Sequence, residues 1–579
     1  GGDSYPYGLQ LILNGLGAVL HDGDPLSLWD INAVLAELRV AIGDPNFVKE
    51  LVQRWLLDNQ HRVRVTLRPE PALSERRIAA EAAHLAKIRA SLDEASADKI
   101  RQETAALNAR QSQKDDPEIL PLVGREDIPA DFLVAEGVEK SITISGKNVP
   151  LAVYAQGTNG LVYEQMIIDL PVFTESEQEL LPLYTSMVSE LGAGDNDYMA
   201  MQQWQSRVSG GLRMSLSVRT DLHDAKKGLG HLVLSGKALA DKAQDFSQLM
   251  QATLDGLRFD EGSRVRELIS QMRARWEASV TGQGHGLAMQ TASSAFSVVA
   301  AFNQHISGLP GIRRIKALDA ALADDSALKG LLSDLQGLHR KVQQSQRRFL
   351  LIGEEERLSA LESSLQLTWQ DRPWQPQTDS FAFKTPGAAQ NVGWLCNTQV
   401  QFCARAFPAV PVEHTDAPAL MLLGGFLRNG FLHNAIREKG GAYGGGAGYD
   451  GNACAFRFYS YRDPRLTDTL KDFDASIDWL LNEPHEQRQL EETLLGIISD
   501  MDKPLSPSGE ARQAYHNALY GRTHEQRKRL RERLLGVSLS DLLRVGETWL
   551  TKGNACTAVV VPNAKLAEVE ALGLTIEKL

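Results

Sequence analysis

The sequence predicts an α/β (α+β) fold made of tandem homologous units, because three features of the chain agree. A helix–strand–helix pattern closes three successive stretches of the chain. An R-x-x-G-G turn occurs twice, beginning at Arg207 and again at Arg437. The 579 residues are 43% apolar and 23% charged, which is ordinary globular composition. By length, such a chain is expected to hold about three or four domains.

Charge and cysteine content exclude several classes of protein. The formal net charge of −12 argues against a nucleic-acid-binding protein, which would normally show a basic surplus. The four cysteines have no C-x-x-C spacing, so we expect reduced thiols in the core. No apolar run approaches the about 20 residues that cross a bilayer, and the apolar segment Leu9–Leu20 resembles a core helix. Neither nucleic acid nor membrane is therefore expected as a partner.

The repeated closing pattern is an amphipathic helix, a short β-rich strand and an acidic helix start. Five or six β-branched and aliphatic residues in a row are typical of buried strands. The three copies predict three homologous units, of which the first is represented by its tail. The copies are Phe47–Asn59, Arg62–Leu67 and Pro71–Ile78; Leu331–Gln344, Arg348–Ile352 and Glu354–Leu365; and Leu539–Thr551, Thr557–Val561 and Lys565–Leu572.

The second and third units also correspond further upstream. Each R-x-x-G-G turn follows a long helical pattern and precedes a strand. Strands are predicted before those helices and further helices after the turns, so each unit is a mixed α/β domain of somewhat over 200 residues. The predicted strands lie in Tyr163–Phe173 and Val392–Phe407, and the later helices in Ala240–Leu257 and Leu466–Leu481.

Two segments between the units have linker composition. Ser74–Gln113 is rich in Ala, Glu, Lys and Arg and contains no Gly or Pro, which favours a long exposed helix or a helical hairpin. Thr368–Gly387 carries three Pro and two Trp and is typical of an extended strap lying on a surface.

Several catalytic motifs are absent from the sequence. The thirteen histidines include no pair four residues apart, so neither H-E-x-x-H nor H-x-x-E-H occurs in the chain. A G-x-x-x-x-G-K-[ST] phosphate loop and a G-x-S-x-G elbow are also missing. Gly446–Gly451 fits G-x-G-x-x-G, but Ala453–Tyr461 continues as a strand where a dinucleotide site needs a helix. The chain by itself therefore predicts no metal site.

The glycine-rich segment that begins at Arg437 is the strongest candidate site. Gly440 and Gly441 permit backbone angles closed to other residues, so they end the helix Ala417–Arg437 and turn the chain into a strand. Tyr443 is the only large side chain between Ala442 and Gly448. Small neighbours leave room for another backbone alongside, into which the Tyr443 hydroxyl would project.

Comparison of the two units separates Tyr443 from Arg437. Arg437 has a counterpart in Arg207, so this arginine could belong to the shared turn. The position equivalent to Tyr443 is Arg213, which makes Tyr443 peculiar to the last unit and the better functional candidate.

Three motifs carry a resemblance to a known family. Leu427–Leu432, Arg437–Gly444 and Ser460–Pro464 resemble the last domain of presequence proteases, the oligopeptide-degrading branch of the pitrilysin/insulinase zinc peptidases. The likeness extends over essentially the whole chain. It also includes Glu190–Gly194, Asp197–Tyr198, Ser209–Gly211, Ser235–Lys237, His21–Leu26 and Asp58–Val63.

This resemblance implies an architecture of four homologous domains in two halves joined by a helical hairpin. Each domain is then a mainly antiparallel sheet packed with helices. Residues 1–70 would be the end of the second domain, 71–128 the hairpin, 129–365 the third domain and 366–579 the fourth. The halves close around a peptide chamber, and the first domain, which binds zinc through H-x-x-E-H, has no counterpart here.

Site roles follow from the same resemblance. Arg437 would hold a substrate carbonyl, and Tyr443 would donate to the oxyanion of the tetrahedral intermediate. Gly440, Gly441, Ala442 and Gly444 would line the bound peptide. Asp463 and Pro464 are expected to cap the next helix.

The family likeness also implies partners and a cofactor. We expect the C-terminal half of a zinc metalloendopeptidase that degrades unstructured peptides, inactive without its N-terminal half, with zinc bound by that half and none by this chain. The alternative is a naturally metal-free partner or structural subunit of the same superfamily. A bacterial cytoplasmic or periplasmic location is favoured, or an organelle matrix if the source is eukaryotic.

Overall fold

The computed structural model describes residues 5–68, 70, 72–111, 119, 123–377, 379, 381–387 and 391–579. The chain divides into an N-terminal unit of residues 8–123 and a main unit that contains residues 124–579. Among the described residues, no helix is long and apolar enough to span a bilayer. The helices of the N-terminal unit are α1 (Tyr7–Leu20), α2 (Ile31–Ala41), α3 (Phe47–Val52, extended by a π-helical turn Gln53–Leu57), α4 (Leu73–Ser91) and α5 (Glu94–Gln111).

The N-terminal unit exposes apolar surface that the sequence assigns to a core. The predicted strand Arg62–Leu67 is not formed: Val63 is 88% exposed and Leu67 is 92% exposed. In α1, predicted as a core helix, Gly15 is the single buried residue. A strand needs a neighbouring strand for its backbone groups, and the described residues of this unit offer none. Both expectations are therefore wrong for this unit taken by itself.

Limited proteolysis should cut the N-terminal unit first. The segment around Arg62 and Arg64 is exposed and outside any helix or strand, so a trypsin-like protease can bind it in an extended form. We expect cleavage within residues 58–68, or in the linker helices, before any cut in residues 138–579. Mass spectrometry of early fragments measures this order. Early cuts spread evenly through the two sheets of the main unit would contradict it.

Residues 124–369 build the first of two sheets in the main unit. Its strands are β1 (Val138–Ile144), β2 (Lys147–Ala155), β3 (Leu161–Asp169), β4 (Leu212–Thr220), β5 (Gly228–Leu239) and β6 (Arg347–Gly353), in the order β1-β2-β6-β3-β5-β4. Its helices are α6 (Glu175–Met187), α7 (Tyr198–Val208), α8 (Ala243–Asp255), α9 (Gly262–Gly282), α10 (Gly284–Ser293), α11 (Val298–Ser307), α12 (Leu309–Ala321), α13 (Asp325–Gln343) and α14 (Leu358–Trp369).

Residues 391–579 build the second sheet. Its strands are β7 (Val392–Cys396), β8 (Gln401–Pro408), β9 (Gly444–Asp450), β10 (Ala455–Asp463), β11 (Cys556–Pro562) and β12 (Thr575–Lys578), in the order β12-β7-β11-β8-β10-β9. Its helices are α15 (Ala417–Leu427, continued by a π-helix Arg428–Lys439), α16 (Thr467–Asn482), α17 (Gln487–Met501), α18 (Pro507–Leu519), α19 (His524–Leu535), α20 (Leu539–Trp549) and α21 (Leu566–Ala571).

The two sheets share one topology, which confirms the predicted tandem α/β fold. In each sheet a central closing strand, β6 or β11, pairs parallel with one neighbour and antiparallel with the other. The remaining pairs, β3–β5–β4 and β8–β10–β9, are antiparallel. The sheets differ at one edge, where β1 is antiparallel to β2 but β12 is parallel to β7. The predicted closing strands Arg348–Ile352 and Thr557–Val561 lie within β6 and β11.

The two linkers have different structures. The first contains two helices, α4 and α5, separated at Leu92 and Asp93, and its residues 112–118 and 120–122 lie outside the described residues. The second linker is a strap: Phe381 donates its backbone N–H to the Leu170 carbonyl at 3.0 Å and packs edge-on against Phe302. The domain boundaries proposed from the sequence stay a prediction.

Each sheet has its outer face covered by a helix from the other half of the main unit. Helix α10, which precedes β6 in the chain, packs on the second sheet, where Phe402 fills the space beside Gly284. Helix α18 packs on the first sheet through Tyr515, and His516 donates from Nε2 to Gln165 Oε1 at 2.7 Å. Burial lowers the pKa of His516 to about 4, so it stays neutral in this contact. The exchange of helices joins the two sheets into one unit.

A buried carboxyl group lies inside the first sheet. Glu164 on β3 accepts a hydrogen bond from Ser247 Oγ at 2.6 Å, and its Oε1 has no partner among the described residues. Burial raises the pKa of Glu164 to about 7, and the Ser247 hydrogen bond opposes part of that shift. The folded protein therefore binds this proton at a pH where the unfolded chain, with a carboxyl pKa of 4.5, has released it.

Glu164→Gln should stabilise the protein at alkaline pH. The contribution of the neutral carboxyl is full below pH 4.5 and is lost as the pH rises through about 7. Glutamine keeps the acceptor for Ser247 and never ionises, so the free energy of unfolding should rise on the order of 2–3 kcal/mol at pH 8. Urea unfolding at pH 4.5 and pH 8 measures the difference, with exposed Glu356→Gln as the control. An equal effect of Glu164→Gln at both pH values would refute the assignment.

Candidate functional site

The glycine-rich segment forms the outer edge of the second sheet. Strand β9 pairs with β10 in antiparallel register from Gly444↔Tyr461 to Asp450↔Ala455, and its other edge has no strand partner among the described residues. The G-x-G-x-x-G segment thus ends in a β-hairpin rather than a helix, as its context in the sequence indicates. An unpaired strand edge can bind an extended peptide through main-chain hydrogen bonds.

The helix before this edge does not keep the α-helical form that the sequence predicts up to Arg437. Helix α15 packs directly on β9, since a methyl group at Gly424 would lie 2.6 Å from the Gly448 Cα. From Arg428 onward the chain is π-helical, and the Trp479 ring occupies the space beside Gly430. π-Helical segments are rare and occur often at functional sites.

The π-helix ends in a turn whose backbone N–H groups bond two of the helix carbonyl groups. Gly441 has a φ of +77°, which favours glycine, and its N–H donates to the Arg437 carbonyl at 3.1 Å. The Ala442 N–H donates to the Ile436 carbonyl at 3.1 Å. The next carbonyl, that of Ala435, accepts from the Arg465 side chain at 3.3 Å. Arg437 and Tyr443 therefore lie on the two sides of a hydrogen-bonded turn.

Tyr443 projects from the turn into solvent. Its side chain is 61% exposed, and its ring lies 5.6 Å from the Tyr461 ring. The Arg462 guanidinium stands 5.5 Å from the Tyr443 ring centroid, and the Tyr443 N–H donates to the Arg462 carbonyl at 3.3 Å. The ring is thus held from two sides, while the hydroxyl makes no hydrogen bond to a described residue. A held ring with a free donor suits recognition of a developing negative charge.

Arg437 is also exposed and unpaired. Its guanidinium makes no ion pair or hydrogen bond to a described residue, whereas neighbouring Glu438 is engaged by His433 and Asn434. A planar guanidinium with all donors free can bind a carbonyl or carboxylate in a forked geometry. Like Lys439 beside it, Arg437 has no hydrogen-bonding partner among the described residues, and the same holds for the Tyr443 hydroxyl on the other side of the turn.

The four small residues predicted to bind substrate differ in their burial. Gly440, Ala442 and Gly444 are buried, and Gly441 is exposed. A methyl group at Gly440 would collide with the Arg465 guanidinium, and one at Gly444 would lie 2.5 Å from the Tyr461 hydroxyl. Packing thus accounts for the small size of these two glycines. Their role in substrate binding stays a prediction that concerns their backbone groups.

The Asp463 interpretation from the sequence is wrong. Helix α16 begins at Thr467, and the residue before it is Leu466, so neither Asp463 nor Pro464 caps it. Asp463 is instead fully buried and accepts the Arg465 N–H at 2.9 Å and the Thr469 hydroxyl at 2.7 Å. It fixes the loop that carries Arg465. Sequence reasoning missed Arg465, although it follows directly on the S-Y-R-D-P motif.

The corresponding turn in the first sheet has the same arginine and glycine positions but no tyrosine. Arg207 is exposed in the last turn of α7, and Arg213 is exposed on the edge strand β4. Gly211 has a φ of +113°, so a glycine in this conformation is needed in both turns. The shared frame explains Arg207 and Arg437 together, and Tyr443 is what distinguishes the second sheet.

The described residues do not fit a zinc site. No three His, Cys, Asp or Glu side chains among them converge in a group that could hold a metal ion. His433 and Glu438 approach within 3.5 Å near the candidate site, but a catalytic zinc needs three protein ligands.

Comparison with known proteins gives two family matches. Residues 67–318 match the model described as associated with peptidase family M16, subfamily C, and residues 396–563 match the PreP C-terminal domain. The chain is 24% identical over 545 residues to presequence protease 1, chloroplastic/mitochondrial, of Arabidopsis thaliana, covering 93% of this chain and 50% of that protein. It is 26% identical over 567 residues to the mitochondrial presequence protease of Danio rerio, covering 93% and 54%. The chain spans about half the length of the curated relatives it matches.

Solved structures show the same fold. A protease from Helicobacter pylori superposes with a TM-score of 0.54 at 12% identity, covering 74% of this chain and 100% of that one. A peptidase M16 inactive domain from Pseudomonas fluorescens gives a TM-score of 0.51 at 15% identity, covering 74% and 98%. The fold and the matches together define a member of the M16 peptidases, a family of metalloproteases.

Within the M16 peptidases, the chain belongs to the presequence-protease branch and corresponds to the C-terminal portion of those proteins. The resemblance identified from the sequence motifs is therefore confirmed. The presequence-protease family is a zinc metallopeptidase family, and among the described residues no group of three potential metal ligands comes together.

Proposed function

We propose that this chain is the C-terminal half of a zinc metalloendopeptidase that degrades short unstructured peptides in a closed chamber. Its role is to bind the peptide and stabilise the reacting carbonyl, while the N-terminal half supplies the zinc and the activated water. One observation carries the proposal: Arg437 and Tyr443 flank the turn that leads into β9, and neither their side-chain donors nor the outer edge of β9 have a partner among the described residues.

The chemistry follows from these donors. A peptide lying along β9 would exchange backbone hydrogen bonds with it, which requires an extended and unstructured substrate. The Arg437 fork would hold a peptide carbonyl in place. The Tyr443 hydroxyl can donate a hydrogen bond to the oxyanion when water adds to the scissile carbonyl.

The exposed apolar surface of the N-terminal unit supports the proposal of a protein partner. More than half of the exposed large apolar side chains among the described residues lie between residues 9 and 67. Surfaces of this kind mark sites where protein binds protein. The proposed N-terminal half would cover this surface and add neighbours to the extended segment at residues 58–68.

Purified by itself, the chain should bind no stoichiometric zinc and cleave no unstructured peptide. The reason is that no group of three potential metal ligands occurs among the described residues and that no two histidines in the sequence are four residues apart. Metal analysis together with a fluorogenic peptide assay tests this. One tightly held zinc per chain with chelator-sensitive activity would overturn the proposal.

A second function is favoured by one structural relative. The Pseudomonas fluorescens neighbour is described as an inactive domain of peptidase M16, so a metal-free partner subunit is the competing possibility. Mixing the chain with an N-terminal half that carries H-x-x-E-H separates the two. Activity that depends on Tyr443 supports the protease half, whereas activity insensitive to Tyr443 and Arg437 supports a structural subunit.

A further inference from the structure

Arg465 connects three elements next to the candidate site. It lies in the short loop between β10 and α16, and its Nη2 donates to the Asp472 Oδ2 at 2.8 Å and to the Ala435 carbonyl at 3.3 Å. Asp472 belongs to α16 and Ala435 to the last turn of the π-helix. One guanidinium thus joins the π-helix, which carries Arg437, to the helix that follows β10.

The Ala435 carbonyl accepts from Arg465 close to the end of the π-helix. The final carbonyl groups of a helix have no partner within the helix. The two that follow Ala435 are satisfied by backbone N–H groups of the turn, and Ala435 is satisfied by Arg465. The same guanidinium occupies the space in which a side chain at Gly440 would stand. Arg465 and Gly440 therefore form one packed contact at the start of the turn.

The base of Arg465 is itself fixed. Asp463, which is fully buried, accepts the Arg465 backbone N–H at 2.9 Å and holds the Thr469 hydroxyl of α16 at 2.7 Å. The Arg465 side chain is 27% exposed, so it reaches Ala435 from a rigid loop through a partly buried path. A long side chain that is held at both ends keeps few of its rotamers, so it can fix the position of the group that it contacts.

We propose that Arg465 is a positioning residue for Arg437 and Tyr443. By holding the Ala435 carbonyl and filling the space at Gly440, it sets where the π-helix ends and where the turn directs the two side chains. The inference rests on the proposed function, because the two side chains matter only if they act on substrate. Arg465 itself does not touch the substrate.

The chain offers a matched control in Arg405. Arg405 also pairs with an aspartate of α16, Asp474, and its Nε lies 3.3 Å from the Thr557 hydroxyl. Its hydrogen bonds and ion pair involve no residue of the π-helix or the turn. Changing either arginine to lysine therefore removes a guanidinium that pairs with an aspartate of α16, and only the change at Arg465 also removes a contact with the turn.

Kinetics of the enzyme reconstituted with its N-terminal half provide the first test. Arg465→Lys keeps the charge, but the lysine ammonium is one bond nearer to the main chain than the Nη2 that reaches both Asp472 and Ala435, and it does not fill the space beside Gly440. We therefore expect kcat/KM to fall about 10- to 100-fold through misplaced donors. Arg405→Lys should match wild type. In a Tyr443→Phe background, Arg465→Lys should cost much less than in wild type, because part of what it positions is already gone. Equal losses from Arg465→Lys in both backgrounds would overturn the inference.

A structural measurement that needs no activity provides the second test. In the chain alone, Arg465→Lys should speed amide exchange at residues 435–444, and Arg405→Lys should not. Gly440→Ala should also speed it, because the methyl group would collide with the Arg465 guanidinium and with the backbone carbonyl oxygen of Ile436. Unchanged exchange in Arg465→Lys, with Tyr443→Phe still impaired, refutes the inference and leaves the proposed function standing. Faster exchange, with Tyr443→Phe and Arg437→Lys both fully active, refutes the two together.

Discussion

Replacing Tyr443 with Phe should lower kcat of the reconstituted enzyme about 10²–10³-fold, on the order of 3–4 kcal/mol, with little change in peptide binding. Phe keeps the ring, so the contacts with Tyr461 and with the Arg462 guanidinium survive. Only the free hydroxyl is lost, and that donor is needed mainly when charge develops on the carbonyl oxygen. Steady-state kinetics on a fluorogenic peptide separate kcat from KM.

Three further variants define what the Tyr443 result means. Arg437→Lys should affect binding and rate together, because lysine keeps the charge but loses the planar fork. Arg213→Ala, at the equivalent place in the first sheet, should have little kinetic effect. Tyr461→Phe loses a hydroxyl from the same aromatic contact and should also retain activity. If Tyr443→Phe retains wild-type kcat, or if Arg213 matters as much, the turn before β9 is not part of the active site.

Phe402→Ala should cost about 3–5 kcal/mol of unfolding free energy, the range for removing a buried phenylalanine. Phe402 is 1% exposed on the outer face of the second sheet, where its ring packs against Gly284 of α10. Alanine leaves a cavity between a strand of one sheet and a helix that belongs in the chain to the other. The loss should therefore destabilise both sheets together, and amide exchange along α10 should quicken.

Urea unfolding of the main unit measures the Phe402 effect. The control is Leu367→Ala, a large apolar residue of α14 that is 61% exposed and should change the free energy of unfolding by less than about 0.5 kcal/mol. A fluorescence transition that splits in two, with the first sheet at its wild-type midpoint, would show that the exchanged helices do not couple the sheets.

Much of the fold follows from local pattern. The strands β6 and β11 are runs of β-branched and aliphatic residues between helices, and a buried strand is the structure such runs favour. The repeated R-x-x-G-G turn requires glycine because Gly211 and Gly441 have positive φ. The difference between Tyr443 and Arg213 is visible in the two copies of the repeat without any three-dimensional information. These features depend on residues close together in the chain.

The sequence predictions failed at one strand and at one helix cap. Arg62–Leu67 has the composition of a strand, but strand formation depends on a neighbouring strand, and the described residues of its unit provide none. Asp463 is a residue type that often caps helices, but α16 begins only at Thr467, and the Asp463 carboxylate accepts hydrogen bonds from Arg465 and Thr469. A local pattern gives the preference of a segment, and the tertiary structure supplies the groups that satisfy it.

The sequence by itself determined the tandem α/β units, the family and the two exposed side chains that flank the glycine turn. Only the tertiary structure placed α10 and α18 on each other's sheets, widened the helix before Arg437 into a π-helix and brought Arg465 to the Ala435 carbonyl. That contact joins residues 30 positions apart in the chain. Periodicity reports which face of an element is apolar, whereas side-chain contacts between elements depend on how whole helices and strands pack, because packing is a property of the assembled core.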